Sequence, residues 1–221
     1  MSVIIQPIMR ILYYIYQQKQ INATLEQQWL SQLPETKAES IRRIQVESKR
    51  HQSLLGLQLL AFGLPRLTGL RDFSLHQVQF PEHRKPFCTA NIDFNISHSA
   101  NLIVCAISTS GRVGIDVEKL RDIKPAVLER YTSARERQAN PCPLELWTQK
   151  EAVVKAADSG GIAAIHKVEI EHNTSHFDNV LWHLKRIDIL TDYIVQIATE
   201  QPPEDIQLTQ ITINDLIAAE S

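Results

Sequence analysis

The chain has 221 residues, 43% of them apolar and 22% charged, which is the balance of a globular protein with one large domain or two small ones. Its formal net charge of −2 gives no general attraction to nucleic acid or to an anionic membrane, so neither is an expected partner. The three widely spaced cysteines form no Cys-x-x-Cys pair and no apolar run is long enough for a transmembrane helix, which together predict a cytoplasmic protein without a zinc site or disulfide framework.

The first half of the sequence predicts one strand followed by helices. Residues 9–16 are rich in Ile, Leu and Tyr, which is typical of a buried strand. A helix is expected to start at a Thr24 cap and to stop before the next proline. Helically spaced apolar residues then predict one long helix or two over residues 37–62, ended by Gly63 and Pro65.

The second half predicts strands and helices in alternation. Residues 94–96 form a short strand that a polar turn, Ser97-His98-Ser99, brings to an end, and the next two strands form a hairpin around Gly111. The remaining predicted elements are the strands of that hairpin, 102–108 and 113–118, two helices, 126–138 and 144–158, and three antiparallel strands, 166–172, 180–189 and 193–199.

This order of elements predicts two α+β lobes, because helices lie beside an antiparallel sheet in each half of the chain. The boundary falls near residues 108–113, which gives an N-terminal lobe of residues 1–110 and a C-terminal lobe of residues 111–221. A cleft between lobes is a common place for a ligand site, and the residues that carry chemical interest lie at this boundary.

Asp116 and Glu118 lie two residues apart in the segment Gly114-Ile115-Asp116-Val117-Glu118, which predicts a strand with both carboxylates on one face. They can be two solvated acids at an exposed strand end. They can also bind a metal, because Asp is depleted from strands and a buried acid is costly unless it is paired or metal-bound.

Glu151 and Lys155 lie four residues apart in the helical segment 147–155, on a stripe that begins at Trp147. Such a Glu–Lys pair is common on an ordinary solvated helix face. Combined with Asp116 and Glu118, however, it provides three carboxylates and one lysine, which can hold a hard cation against a phosphate.

Basic and polar residues of the first half offer anion contacts, although for each of them a solvated surface or turn is an equally simple interpretation. His98, between two serines, can donate to a phosphate. Two basic clusters can receive several phosphates of one small ligand: Lys37, Arg42, Arg43, Lys49, Arg50 and His51, and the pair Arg84 and Lys85.

Three linked segments, residues 94–99, 114–118 and 147–155, resemble in order and spacing the 4'-phosphopantetheinyl transferases of the surfactin-synthetase-activating (Sfp) type. That family carries Phe-Asn-x-Ser-His-Ser, Gly-[Ile/Val]-Asp-x-Glu and Trp-x-x-Lys-Glu-[Ala/Ser]-x-x-Lys. The likeness covers most of residues 37–160, and its Trp and Lys-Glu-Ala variant is similar to the subgroup that often serves polyketide, peptide or specialised lipid synthases.

The resemblance implies a monomer of two similar α/β lobes related by pseudo-twofold symmetry, with coenzyme A bound in the cleft between them. It also implies a Mg²⁺-dependent reaction. The 4'-phosphopantetheine arm of coenzyme A moves to a serine of an apo acyl or peptidyl carrier protein, and adenosine 3',5'-bisphosphate is released.

The same resemblance implies roles for single residues. Asp116, Glu118 and Glu151 would bind Mg²⁺, and the catalytic set would be Asp116, Glu151 and Lys155, with Lys155 touching the diphosphate. The general base would be Glu151 or a metal-bound water, and Glu136 is a further polar candidate.

The coenzyme A contacts implied by the resemblance are His98 and Ser97 on a phosphate, Lys85 near the nucleotide and Lys155. Two positions depart from the family pattern. Gln52 stands where many relatives have an Arg that holds the 3'-phosphate, a role that Lys49 or Arg50 would then take, and Arg84 stands where the usual residue is Gly.

Two other functions are compatible with these residues. One is a non-catalytic module that holds coenzyme A or a carrier protein, and the other is a metal-dependent phosphohydrolase. A carrier surface is expected by resemblance on residues 120–142, where basic side chains stand among apolar ones, although a solvated helix would have the same pattern.

Overall fold

The protein is described here by a computed structural model that covers residues 10–17, 21–88, 92–140, 142–204 and 206–219. Within these ranges the chain forms a mixed α+β structure with two four-stranded sheets and seven α-helices. The elements in chain order are β1 (Arg10–Tyr16), α1 (Ala23–Ser31), α2 (Glu35–Arg42), α3 (Glu47–Thr68), β2 (Asp93–Ser99), β3 (Leu102–Ser108), β4 (Val113–Lys119), α4 (Pro125–Tyr131), α5 (Ala134–Ala139), α6 (Pro143–Ala157), β5 (Thr174–Phe177), β6 (Val180–Arg186), β7 (Tyr193–Thr199), β8 (Ile206–Gln210) and α7 (Ile213–Ala218).

The first sheet has the strand order β2-β3-β1-β8, and α3 packs on one of its faces. Strand β3 is buried along its whole length because its side chains alternate between two cores. Ile103, Cys105 and Ile107 face the core of α3, while Leu102 and Val104 join a core shared with the second sheet. The two sheets therefore pack against each other through β3.

The second sheet has the order β4-β7-β6-β5, and α6 packs across β4 and β7. Gly114 of β4 allows this close approach, since a Cβ there would lie only 2.1 Å from the carbonyl oxygen of Ala152 and 2.4 Å from the nitrogen of Ala156. The glycine that precedes the two carboxylates of β4 is thus needed for helix packing, and it brings α6 directly onto that strand.

The two sheets are joined at the strands β2 and β4, which are both sheet edges. Alternate side chains of β2 accept hydrogen bonds from alternate backbone N–H groups of β4, so that side chains replace a backbone ladder. The four bonds run from Val113 N to Asp93 Oδ2 (2.7 Å), Ile115 N to Asn95 Oδ1 (2.9 Å), Val117 N to Ser97 Oγ (3.3 Å) and Lys119 N to Ser99 Oγ (3.0 Å). We call these four bonds the side-chain ladder.

Two bonds of the side-chain ladder are buried, and the one from the Ile115 N–H to Asn95 (2.9 Å) is shorter than the one from the Val117 N–H to Ser97 (3.3 Å), so the loss of Asn95 should cost most. We expect Asn95→Ala to lower the free energy of unfolding by about 1–3 kcal/mol, since the buried N–H is left without an acceptor. Ser99→Ala is the matched control, because its bond to the Lys119 N–H is exposed and water can replace it. Urea denaturation of both variants checks this, and equal losses would contradict it.

Two predictions for this junction are wrong. Ser97-His98-Ser99 lies inside β2 instead of forming a turn, and the strands over 102–108 and 113–118 form no hairpin. Strand β3 pairs with β1 and β2, whereas β4 pairs with β7. The true hairpin joins β2 to β3 through Ala100, whose φ of 47° is left-handed.

Several helix boundaries also differ from the prediction. The first helix is capped by Asn22, whose Oδ1 accepts from the Leu25 N–H, and not by Thr24. Helices α2 and α3 confirm the alternative of two helices, but α3 continues through Gly63 and Pro65 to Thr68. It ends because Gly69 adopts a φ of 74°, the left-handed cap that glycine favours.

The last third of the chain holds three more differences. The expected helix over 126–138 is two short helices, α4 and α5, separated where Ser133 caps the second. The strand expected over 166–172 does not form, because a 3₁₀ helix, Gly161–Lys167, occupies the start of this segment. The strand that pairs with β6 in its place is β5, which lies further along the chain. Strand β8 returns to pair with β1, so residues 206–218 lie with the first sheet.

No helix in the part of the chain that the structure describes is long and apolar enough to cross a membrane.

Candidate active site

The junction of β2, β4 and α6 brings together an acid, a base and a hydroxyl. Asp116 of β4 is buried, and its Oδ1 accepts from the Lys155 Nζ at 2.5 Å and from the Ser97 Oγ at 3.0 Å. Lys155 also donates to Ser97 at 3.1 Å, and its side chain is 30% exposed. These three residues, each predicted from a different sequence segment, form one contact cluster.

Glu118 and Glu151 extend this cluster with two more carboxylates. The Oε2 of Glu151 lies 3.6 Å from the Lys155 Nζ, and Glu118 accepts from Ser99 at 3.4 Å and from Arg121 at 3.0 Å. The second oxygen of Asp116, Oδ2, is buried and has no hydrogen-bond partner. Carboxylate oxygens are what a hard cation prefers. Among the described residues, however, no group of three or more His, Cys, Asp and Glu side chains is already arranged as a metal site.

Burial sets the protonation of these acids. It raises the pKa of Asp116, although the Lys155 charge acts in the opposite direction. Burial and the nearby Asp116 carboxylate raise the pKa of Glu151 to about 7. Burial alone would lower the pKa of Lys155, but Asp116 and Glu151 outweigh it and the pKa is raised. Lys155 is therefore charged at neutral pH, and Glu151 exchanges its proton close to neutrality.

The raised pKa of Glu151 predicts a pH dependence of stability. The unfolded carboxyl titrates near 4.5 and the folded one near 7, so the folded state binds the proton more tightly. This stabilisation is complete below about pH 4.5 and is lost as the pH rises through about 7. In metal-free buffer the free energy of unfolding of the wild type should thus fall over this range relative to Glu151→Gln, as urea denaturation at several pH values would show. Parallel pH profiles for the two proteins would contradict the assignment.

His98 follows Ser97 on β2 and faces a basic region. Its Nδ1 is buried and has no partner, and burial together with the charges of Lys49 and Lys155 lowers its pKa to about 4. The imidazole is therefore neutral at pH 7 and has one ring N–H to donate. Two lysines from different helices beside an unpartnered imidazole suit an anionic group such as a phosphate.

Lys85 lies at the other end of the junction, on the wall of a cavity of about 420 Å³. Its Nζ donates to the Asp93 carboxylate at 2.5 Å and to the Val113 carbonyl at 2.6 Å, and burial lowers its pKa. Arg84, on the same wall, pairs with Asp158 just beyond α6 at 2.9 Å. Both basic residues thus connect the 81–87 segment to the second sheet and its helix.

The basic residues of α3 are used in different ways. Arg50 forms an ion pair of 2.6 Å with Glu26 of α1, and His51 is fully buried 3.2 Å from the same carboxylate. Gln52 donates to the carbonyl of Ala100, which ties α3 to the β2–β3 turn, and its own Oε1 is buried without a partner. Of the predicted pair of Lys49 and Arg50, it is therefore Lys49 whose charge acts on His98.

Lys150 and Glu136 form a buried ion pair with a structural role that the sequence pattern did not predict. The Lys150 Nζ lies 2.9 Å from the Glu136 carboxylate and also donates to the carbonyls of Tyr131 and Val168. Glu136 caps α5 and accepts from the Ile170 N–H at 2.9 Å. These bonds fasten α5 and the following segments to α6. The Ser-x-x-Glu capping box from Ser133 to Glu136 was the available sequence signal for the role of Glu136.

Comparison with known proteins gives consistent matches. Residues 112–207, which hold Asp116, Glu118, Glu151 and Lys155, match the model of the 4'-phosphopantetheinyl transferase superfamily. The chain is 26% identical over 230 residues to the 4'-phosphopantetheinyl transferase Sfp of Bacillus subtilis strain 168, covering 93% of this chain and 99% of that protein. It is 28% identical over 160 residues to a 4'-phosphopantetheinyl transferase of Bacillus subtilis (67% and 70% covered) and 35% identical over 95 residues to HetI of a Nostoc species (38% and 40% covered).

Proposed function

We propose that this chain, which matches the 4'-phosphopantetheinyl transferase superfamily over residues 112–207, moves the 4'-phosphopantetheine arm of coenzyme A to a serine of an apo acyl or peptidyl carrier protein. Adenosine 3',5'-bisphosphate is the second product. The observation that carries the proposal is the contact of Asp116, Ser97 and Lys155 where β2, β4 and α6 meet. The matched family region contains the acid and the lysine of this cluster.

Mg²⁺ fits the donors at this point of the junction. Asp116, Glu118 and Glu151 present only oxygen ligands, and the Asp116 Oδ2 is a buried acceptor that still lacks a partner. These three carboxylates would hold the ion, and some coordination positions would remain for water and for phosphate oxygens. Bound there, the ion would supply charge stabilisation for the diphosphate and for the leaving nucleotide.

The protein's own residues act on the two substrates as follows. The carrier serine hydroxyl attacks the phosphorus that bears the pantetheine arm, and the bond from this phosphorus to the bridging oxygen of the diphosphate breaks. Glu151 accepts the proton of the hydroxyl, and in the metal-free protein burial and Asp116 raise the pKa of its carboxyl to about 7. Lys155 compensates negative charge on the diphosphate, because its ammonium lies at the exposed edge of the acid cluster.

Coenzyme A is held by the basic and polar residues along the junction. His98 and Lys49, with Ser97 beside them, receive one phosphate group, and Lys85 lies near the nucleotide at the edge of the cavity. Arg50 supports this region through its ion pair with Glu26. We further propose that the molecule acts as a cytoplasmic monomer.

We propose that the two lobes are built on the two sheets. The N-terminal lobe is residues 1–110 and the C-terminal lobe is residues 111–221, related by pseudo-twofold symmetry, with the coenzyme A cleft at the side-chain ladder. The pairing of β8 with β1 is the exception to a simple division at residue 110, since it places residues 206–218 beside the first sheet.

The surface that we propose for the carrier protein lies within residues 120–142. Leu120 is 51% exposed and directly follows the strand that carries Asp116 and Glu118. Arg121 and Lys124 are exposed close by. An apolar contact flanked by positive charge suits a partner with an acidic helix, and its position next to the acid cluster would bring the carrier serine to the reacting phosphate.

The experiment that tests this function measures adenosine 3',5'-bisphosphate release from coenzyme A and Mg²⁺ with and without an apo carrier protein. Release that requires the carrier, and that stops when the carrier serine is replaced by Ala, is the expected result. Release without any carrier would instead favour a phosphohydrolase. Binding of coenzyme A without release, across several carriers, would favour a non-catalytic module.

A further inference from the structure

We propose that Lys155 takes the place of the divalent cation in the metal-free protein, so that the metal binds firmly only together with the diphosphate of coenzyme A. The inference rests on the proposed function and concerns the order in which that site is assembled. Besides contacting the diphosphate, Lys155 would therefore prevent the metal from binding firmly to the acid cluster when coenzyme A is absent.

The first support is the position of the ammonium group. The Lys155 Nζ lies 2.5 Å from the Asp116 Oδ1 and 3.6 Å from the Glu151 Oε2, so it lies beside two of the three proposed metal ligands. Asp116 is only 3% exposed, and a buried carboxylate without a countercharge is strongly unfavourable. Lys155 is the cation found within ion-pair distance of Asp116 in the described part of the chain.

The second support is that both cations would use the carboxylates of Asp116 and Glu151, although Lys155 contacts Oδ1 of Asp116 and leaves Oδ2 without a partner. Mg²⁺ binds carboxylate oxygens at about 2.1 Å, so an ion shared by Asp116 and Glu151 would lie within about 5 Å of an ammonium group at its present place. Two positive charges at that distance repel each other strongly in a partly buried site. A metal that enters must therefore displace Lys155 from Asp116.

The third support is that the displaced Lys155 ammonium finds a new countercharge only when a polyanion is present. Its side chain is 30% exposed, and the flexible lysine stem allows the ammonium to turn outward to a diphosphate. Without that anion, displacement exchanges a buried ion pair for a solvated ammonium group. The diphosphate removes the competitor and adds metal ligands at the same time, which couples the two binding events.

The test measures Mn²⁺, a paramagnetic substitute for Mg²⁺, by electron paramagnetic resonance on metal-free full-length protein. Wild type should bind Mn²⁺ weakly alone and with adenosine 3',5'-bisphosphate, which lacks a diphosphate, and tightly with coenzyme A. Titrations of coenzyme A without protein correct for its own Mn²⁺ affinity. Lys155→Met should bind Mn²⁺ alone roughly tenfold more tightly than wild type, because the competing charge is gone. Lys167→Met, at an exposed lysine outside the site, should match wild type.

The outcomes separate this inference from the proposed function. Equal Mn²⁺ affinity of wild type and Lys155→Met without coenzyme A would overturn the inference, even if the enzyme is active. No Mn²⁺ binding by wild type with coenzyme A bound would overturn the proposed metal-dependent function itself, and this inference with it. Circular dichroism checks the variants, and if Lys155→Met does not fold, Lys155→Gln keeps a donor towards Asp116 and should show the same gain.

Discussion

Asp116→Asn is expected to lower the rate of carrier modification by about a thousandfold while leaving the fold about as stable as that of the wild type. Burial raises the pKa of Asp116, which means that the folded protein holds this carboxylate at a cost. The amide has the same shape and can still contact the Ser97 hydroxyl. Removing one partner of a buried ion pair is usually destabilising, but here Lys155 is partly exposed and keeps Glu151 as a partner, so this loss is offset by the relieved burial of the Asp116 charge.

The catalytic activity of Asp116→Asn, unlike its stability, should fall strongly. An amide is a poor ligand for Mg²⁺ and gives Lys155 no countercharge, so turnover should fall by about a thousandfold, or about 4 kcal/mol of transition-state stabilisation. Initial rates of carrier modification and thermal melting of the same preparation check both halves. Asp72→Asn, at an exposed acid in the first half of the chain, is the matched control. A variant that melts early, or that retains turnover, would show that Asp116 is mainly structural.

Gly114→Ala is expected to destabilise the protein severely, although it adds a single methyl group. The new Cβ would lie 2.1 Å from the Ala152 carbonyl oxygen and 2.4 Å from the Ala156 nitrogen, so the backbone of α6 has to move. We expect a loss of about 3 kcal/mol or more in the free energy of unfolding. The molecules that still fold should have little activity, because α6 carries both Glu151 and Lys155.

Gly69→Ala separates packing from backbone strain. Gly69 has a φ of 74°, but nothing lies within 4 Å of an added Cβ, so only the left-handed conformation is penalised, by about 1–2 kcal/mol. Urea denaturation and soluble yield of both variants give the comparison. If Gly114→Ala were no worse than Gly69→Ala, the close contact of β4 with α6 would not be what this glycine is required for.

The chemistry of the site could be predicted from sequence better than its geometry. Spacing of two along a strand and four along a helix identified Asp116 and Glu118, and Glu151 and Lys155, as pairs that share a face. That these two faces meet depends on the packing of α6 on β4, which no local pattern reports. The direct contact of Lys155 with Asp116 was therefore visible only in the structure.

The junction was mispredicted because its polar residues serve a tertiary purpose. A run of Ser, His and Ser is typical of a turn when it is considered alone. In the fold, Asn95, Ser97 and Ser99 are extended because each accepts a hydrogen bond from the backbone of β4. The glycine and serines at 108–111 likewise suggest a hairpin turn, although here the chain passes from one sheet to the other.

The end of α3 and the burial of Lys150 also depend on the tertiary structure and not on the local sequence. Pro65 was expected to end its helix, yet α3 closes one turn later because Gly69 provides the left-handed cap. The spacing of Glu151 and Lys155 is common on a solvated helix face, but the ammonium of Lys150 on the same helix is buried against Glu136 and two carbonyls. Whether a lysine is solvated or buried depends on the segments that pack over it, which lie 14 to 19 residues away along the chain.

The intact mass of an apo carrier protein, measured after incubation with this protein, coenzyme A and Mg²⁺, tests the central claim most directly. We predict a gain of one phosphopantetheine group that disappears with a chelator and with Asp116→Asn. An unchanged carrier mass across acyl and peptidyl carriers, from folded protein that binds coenzyme A, would contradict the assignment of a transferase.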